Sequence, residues 1–116
     1  MGFIYYNGVT EFEFEDRTLA HVKAAVGTKL RRQENFFLNW TNPPEAGSGR
    51  LTLWISPSIP LIFRFSGNTP PELNVNWVKV LVETANTPRG MTLIKEDRVD
   101  AALEALKVSM LDGEGN

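Results

Sequence analysis

The sequence predicts an α+β domain: a mainly antiparallel sheet of about six strands with helices packed on it, in the order ββαβββαβα. Three observations predict it. The stretch Leu51–Gly67, LTLWISPSIPLIFRFSG, alternates apolar and polar residues on both sides of a proline-bounded link. Asn7-Gly8 stands between two further alternating runs. Two later stretches, after Asp16 and after Asp97, repeat their apolar residues at helical spacing. Consecutive strands with short links favour antiparallel pairing, with the helices on one face.

The central stretch sets the frame. Leu51, Leu53 and Ile55 share one side of the first strand, and Leu61, Phe63 and Phe65 one side of the second. Pro57 and Pro60 cannot donate to a ladder and belong to the connection. A hairpin closed by Ser56–Pro60 sets Ile55 opposite Leu61, Leu53 opposite Phe63 and Leu51 opposite Phe65. Its outer face then carries Trp54 beside Ile62 and Thr52 beside Arg64. That face is only half polar, so a helix or a partner is expected over part of it.

The first hairpin runs Gly2–Tyr6 and Val9–Glu15. Asn-Gly suits the positive φ angles of a type I′ turn, and a two-residue turn pairs Phe3 with Phe12 and Tyr5 with Thr10. Phe3, Tyr5, Phe12 and Phe14 then point inward, and Glu11, Glu13 and Glu15 line the outer face. That row reads as a solvated strand face, which protects an edge, rather than as a cation site. Asp16 is expected to cap the first helix, whose core stripe is Leu19, Val22, Val26 and Leu30. Its opposite face, with Arg17, His21, Ala24, Ala25, Thr28 and Arg32, is small-sided and basic. Lys29, Arg31 and Arg32 sit where the helix dipole favours cations, and His21 is expected at the surface. Glu34–Trp40 is a third strand, with Phe36, Leu38 and Trp40 on one side. Asn42–Arg50 is a loop of turn-forming residues whose GSGR could cradle an anion but lacks the phosphate-loop pattern.

Val75–Asn86 admits two readings: its valines suit a strand, while its length and the Asn74 cap favour a helix. As a helix it is apolar over most of its circumference, which requires cover on two sides, from the sheet and a second helix or a second subunit. Met91–Lys95 is a short strand. Asp97–Leu111 is a helix with Val99, Ala102, Leu103, Leu106 and Met110 in its stripe, ended by Gly113. Residues 1–112 are expected to form one domain and residues 113–116 a frayed tail.

Composition narrows the chemistry. The 116 residues carry a net charge of −2, no cysteine and one histidine. Zinc-thiolate and multi-histidine sites are thereby excluded, together with cysteine nucleophiles, and no metal or other cofactor is expected. The near-neutral balance weighs against general affinity for nucleic acid or anionic membrane. No stretch approaches a membrane span and no signal peptide is evident, so a cytoplasmic protein is expected.

Several phrases together resemble a small actinobacterial family: DRTLAHV at 16–22, KLRR at 29–32, FFLNW at 36–40, GSGR at 47–50, SPSIPLIFRFSG at 56–67, and LNVNW at 73–77 with AN at 85–86. The family is catalogued as a domain of unknown function, and automatic labelling often makes its members ATP-dependent DNA ligases. The resemblance implies membership but no activity. Such ligases resemble one another in a Lys-x-Asp-Gly motif; here the nearest phrase is Lys95-Glu96-Asp97-Arg98, with arginine in place of the glycine.

Three functions follow as expectations. The first is a non-catalytic protein-interaction module, either a homodimer or a binder of another protein, working through Trp54, Ile62, Trp77 and Val80. The second is nucleic-acid or phosphate-ligand binding accessory to DNA metabolism, with Lys29, Arg31, Arg32, Arg50 and Arg64 as contacts and Trp40 or Trp54 as a stacking surface. The third is a small enzyme, which would need Ser58 or Lys95 as nucleophile and His21 as base. No catalytic residue is assigned.

Overall fold

The computed structural model describes residues 1–114, without the side chains of Ala46 and of 109–114. The elements are β1 (Gly2–Tyr6), β2 (Thr10–Phe14), α1 (Asp16–Arg31), β3 (Phe36–Thr41), β4 (Arg50–Ile55), β5 (Leu61–Arg64), α2 (Val75–Ala85), β6 (Met91–Thr92) and α3 (Val99–Glu114). Their order is the expected one, but the single six-stranded sheet is not formed. The strands make two three-stranded sheets, β2-β1-β5 and β4-β3-β6.

The predicted central hairpin is the main correction. β4 pairs antiparallel with β3, and β5 pairs antiparallel with β1 in the other sheet. The Ser56–Pro60 link carries the chain across, its turn closed by Ile59 N–H donating to the Ser56 carbonyl at 3.1 Å and its end held by Asn7 N–H on the Pro60 carbonyl at 2.9 Å. Alternation had assigned the faces of β4 correctly: Leu53 and Ile55 are buried and Trp54 is exposed. It says nothing about which strand lies alongside. Trp54 and Ile62 consequently belong to different sheets rather than to one face.

The first hairpin is shifted by one residue. Asn7 and Gly8 both take positive φ, 54° and 70°, as the turn requires. Val9 is an extra residue in the loop, so Tyr6 pairs with Thr10, Ile4 with Phe12 and Gly2 with Phe14. With a side-chain period of two, that single insertion exchanges the faces of β1. Ile4 enters the core, while Phe3 and Tyr5 turn outward and are only half-buried. Gly2 lies beneath α1, where a Cβ would meet the Arg64 carbonyl and Leu19.

Trp40 joins the two sheets, its ring 5.3 Å from Phe12 and 5.1 Å from Phe14. In β3, Phe36, Leu38 and Trp40 are buried as expected. β6 lies parallel to β3 and is reached through Gly90, whose φ of +93° and 2.5 Å approach of a would-be Cβ to the Phe37 carbonyl leave room for no other residue. Residues 75–85 are helical, and Asn74 caps the helix by accepting from the Asn76 and Trp77 N–H groups. α2 meets α1, α3, β3 and β6, so most of its surplus apolar surface is covered within the chain, Val75 at its start being exposed. The last helix begins at Val99 after a 3₁₀ turn at Glu96–Arg98 and runs past Gly113 to Glu114. Met110 of its expected stripe and the residues after Glu114 lie outside what is described. Among the described residues no helix is long and apolar enough to cross a membrane.

Candidate functional site

α1 is buried on two sides. Leu19, Val22 and Val26 face the core as the stripe predicts. Ala25, His21 and Lys29 are buried as well, because α2 packs against this second side. Two sequence expectations fall here. His21 is not a surface residue: it is fully buried, stacked on Trp77 at 4.4 Å. Its Nδ1–H donates to the Arg17 carbonyl at 2.7 Å, so Nε2 is free to accept the Asn74 N–H at 2.8 Å. Both nitrogens are occupied, and among the described residues no hydrogen bond links the ring to Ser58 or Lys95. Lys29 is no surface cation either. It is 3% exposed and pairs with Glu34 and with the Asn86 side chain.

The remaining stripe of α1 is open. Ala20, Ala24, Gly27 and Arg31 fall within about 60° of one another around the helix. Opposite them runs the segment Phe65–Leu73, stiffened by Pro70 and Pro71, and between the two lies a groove of about 600 Å³. The segment is fastened to α1 at both ends. At one end the Asp16 carboxylate accepts from Gly67 N–H at 2.8 Å, Ser66 N–H at 3.1 Å and the Ser66 hydroxyl. Asp16 is therefore a tether and not the expected cap; the N-cap is Glu15, which makes no side-chain capping bond. The Gly67 and Ser66 N–H groups hold the Asp16 carboxyl below the usual carboxylate range.

At the other end Arg17 donates to the Glu72 carbonyl at 3.3 Å and forms a bidentate pair with Glu96 at 2.8 and 2.7 Å. Glu96 also accepts from the Asn74 side chain at 3.2 Å. These bonds, Arg17 first, bring the Glu96 pKa down to about 2. Residues Asn74 and Glu96 thus lock the start of α2 and the start of the last helical segment onto α1.

The groove is apolar in its floor and wall, through Ala20, Ala24, Gly27, Phe65, Pro71 and Leu73. Its charged lining is Asp16, Lys23 and Arg31. Asp16 is engaged by the tether. Lys23 stands over the Phe65 ring with Nζ 5.8 Å from its centroid, and Arg31 donates to the Gly27 carbonyl at 3.3 Å. Among the described residues neither cation has a carboxylate partner. Beyond the adjoining backbone of its own helix, a Cβ built on Gly27 meets nothing within 4 Å.

A family model described as a domain of unknown function, DUF7882, matches residues 1–96. The chain belongs to the DUF7882 family. No curated protein and no solved structure matches it significantly. The DUF7882 region takes in both sheets, α1, α2 and the whole groove, and stops before α3.

The residues singled out from the sequence are scattered over this domain. Trp77 and Val80 are 3% and 1% exposed inside it and form no surface. Trp54 remains exposed, edge-on to Phe37 at 5.0 Å on the outer face of its sheet, and Ile62 is exposed on the other sheet. Arg31 and Arg32 end α1, Arg50 begins β4, and Arg64 ends β5 with its guanidinium 3.4 Å from the Tyr5 hydroxyl. Trp40 is buried and offers no stacking face. The GSGR loop turns through Gly47, Ser48 and Gly49, all at positive φ, to close the β3–β4 hairpin. The groove was not among the sequence expectations. Its sequence signal is the recurrence of small residues at 20, 24 and 27, with a glycine inside a helix.

Proposed function

We propose that this domain is a non-catalytic protein-interaction module that seats a segment of a partner in the α1 groove. One observation carries the reading. Gly27 lies in the interior of a 16-residue helix, where glycine costs about 0.8–1 kcal/mol relative to alanine. Its φ is not positive, and outside the helix's own adjoining backbone nothing stands within 4 Å of a Cβ placed there. The fold has no use for a missing side chain at this position; an occupant from outside has. The groove's volume, apolar lining and few polar groups are those of a recognition site.

The test is a cross-linking comparison in cells of the source organism, with a photoreactive residue at Ala24. Wild type is expected to capture a defined protein that a Gly27→Leu variant, filled in the groove and still folded, does not. Capture of the same set by both would count against the reading. The same variant also tests a second copy of the chain as the occupant. In that case light scattering finds a dimer that Gly27→Leu dissociates.

The nucleic-acid alternative keeps one supporting observation. Trp54, 43% exposed beside Phe37, shares its sheet face with Arg50. Binding of single-stranded DNA that weakens steeply with salt and is lost in Trp54→Ser would favour it.

A further inference from the structure

We infer that the segment seated in the groove is an acidic amphipathic helix carrying two carboxylates two turns apart. The inference rests on the groove reading above and deepens it. Three features of the groove select this chemistry. Its floor is a helix about 24 Å long, from Asp16 to Arg31. Along it the residues at 20, 24 and 27 carry at most a methyl group, so a second helix can approach closely and lay its apolar ridge between floor and wall. The wall supplies matching apolar contacts through Phe65, Pro71 and Leu73.

The electrostatics choose the sign. Lys23 and Arg31 both line the groove, and among the described residues neither is paired with a carboxylate. The one acid in the lining, Asp16, has its oxygens engaged by Ser66 and Gly67. A ligand therefore meets two uncompensated cations beside apolar surface. A basic segment would be repelled by them, and an acidic one pairs them. Lys23 and Arg31 are eight residues apart, a rise of about 12 Å or just over two turns, and carboxylates eight residues apart on a helix lying alongside have the same separation. A single carboxylate, as on a simple apolar acid, would satisfy only one of them.

The experiment uses the full chain, isotopically labelled, and two model helices of about 18 residues, long enough to hold helical structure. Both have the same leucine–alanine face. They differ at two positions eight apart, glutamate in one and lysine in the other. The acidic peptide is expected to shift the backbone amides of Ala20, Ala24 and Gly27 and to bind about tenfold more tightly at low salt, a preference that shrinks as salt rises. In the Lys23→Glu, Arg31→Glu double variant, altered only at exposed positions, the preference should invert. Equal binding of both peptides in the groove would overturn the acidic assignment while leaving the groove reading in place. Absence of shifts at the groove amides with either peptide would overturn both.

Discussion

Replacing Gly27 by alanine should make this protein more stable. The position is in the interior of α1, and beyond the helix's own adjoining backbone a methyl group added there meets no atom within 4 Å. No packing term then opposes the helix-propensity gain, which is about 0.9 kcal/mol for glycine to alanine in a helix interior, part of it from restriction of the unfolded chain. For 116 residues the entropy of unfolding near the midpoint is about 0.24 kcal/mol/K, so the melting temperature should rise by about 4 °C. Urea unfolding of wild type and Gly27→Ala reads the change directly, as a higher midpoint at an unchanged slope. A neutral or destabilising result would refute the reasoning. It would mean that the space over Gly27 is filled in the folded chain, and the groove would lose the observation that marks it as a site.

Three other substitutions probe how the groove is held. His21→Ala should cost about 2–4 kcal/mol, since it leaves the Asn74 N–H without an acceptor and removes the Trp77 stack; urea midpoints would show it. Lys29→Met should cost about 2 kcal/mol, with part recovered on adding Glu34→Gln, because the loss lies in the uncompensated partner; a double-mutant cycle measures the coupling. Glu96→Gln should destabilise the protein at neutral pH and progressively less in acid. A carboxylate whose pKa falls from 4.5 to about 2 on folding contributes stability that is present above pH 4.5 and is lost as pH falls toward 2. The gap between the two unfolding curves should therefore close over that interval.

Much of the fold was legible in the sequence, and the misses have identifiable causes. Alternation in β3 and β4 named the buried faces correctly, since burial of one face is a local property of a strand. It could not name neighbours, so β4 and β5 were joined into a hairpin that the structure divides between two sheets. The turn at Asn7-Gly8 was readable from its residues, whereas the extra Val9 was not, because an exposed valine beside a turn looks like the first residue of a strand. His21 was misplaced because one apolar stripe was taken as the whole buried surface of α1; the second buried side exists only once α2 lies against it. The excess apolar surface of α2 was recognised, but α1 and α3 cover it, so Trp77 and Val80 are core residues. The groove needed a wall from residues 65–73, which in sequence is merely a proline-bearing connection.

The sheet-changing link at Ser56–Pro60 also imposes an order on folding. β3 and β4 are close in the chain and can close their hairpin early. The β1–β2 hairpin is likewise local, but an isolated two-stranded ribbon is only marginally stable in water. Its third strand, β5, arrives some 60 residues after β1 and must close that whole intervening chain into a loop, at a cost that grows with the logarithm of its length. Until Leu61–Arg64 docks, Ile4 lacks Phe63 on its open side, and the anchor points for the groove wall, Ser66 and Gly67, have not reached Asp16. Completion of the first sheet and assembly of the groove are thus one kinetic event. A slow step in refolding would delay binding in the groove by the same interval.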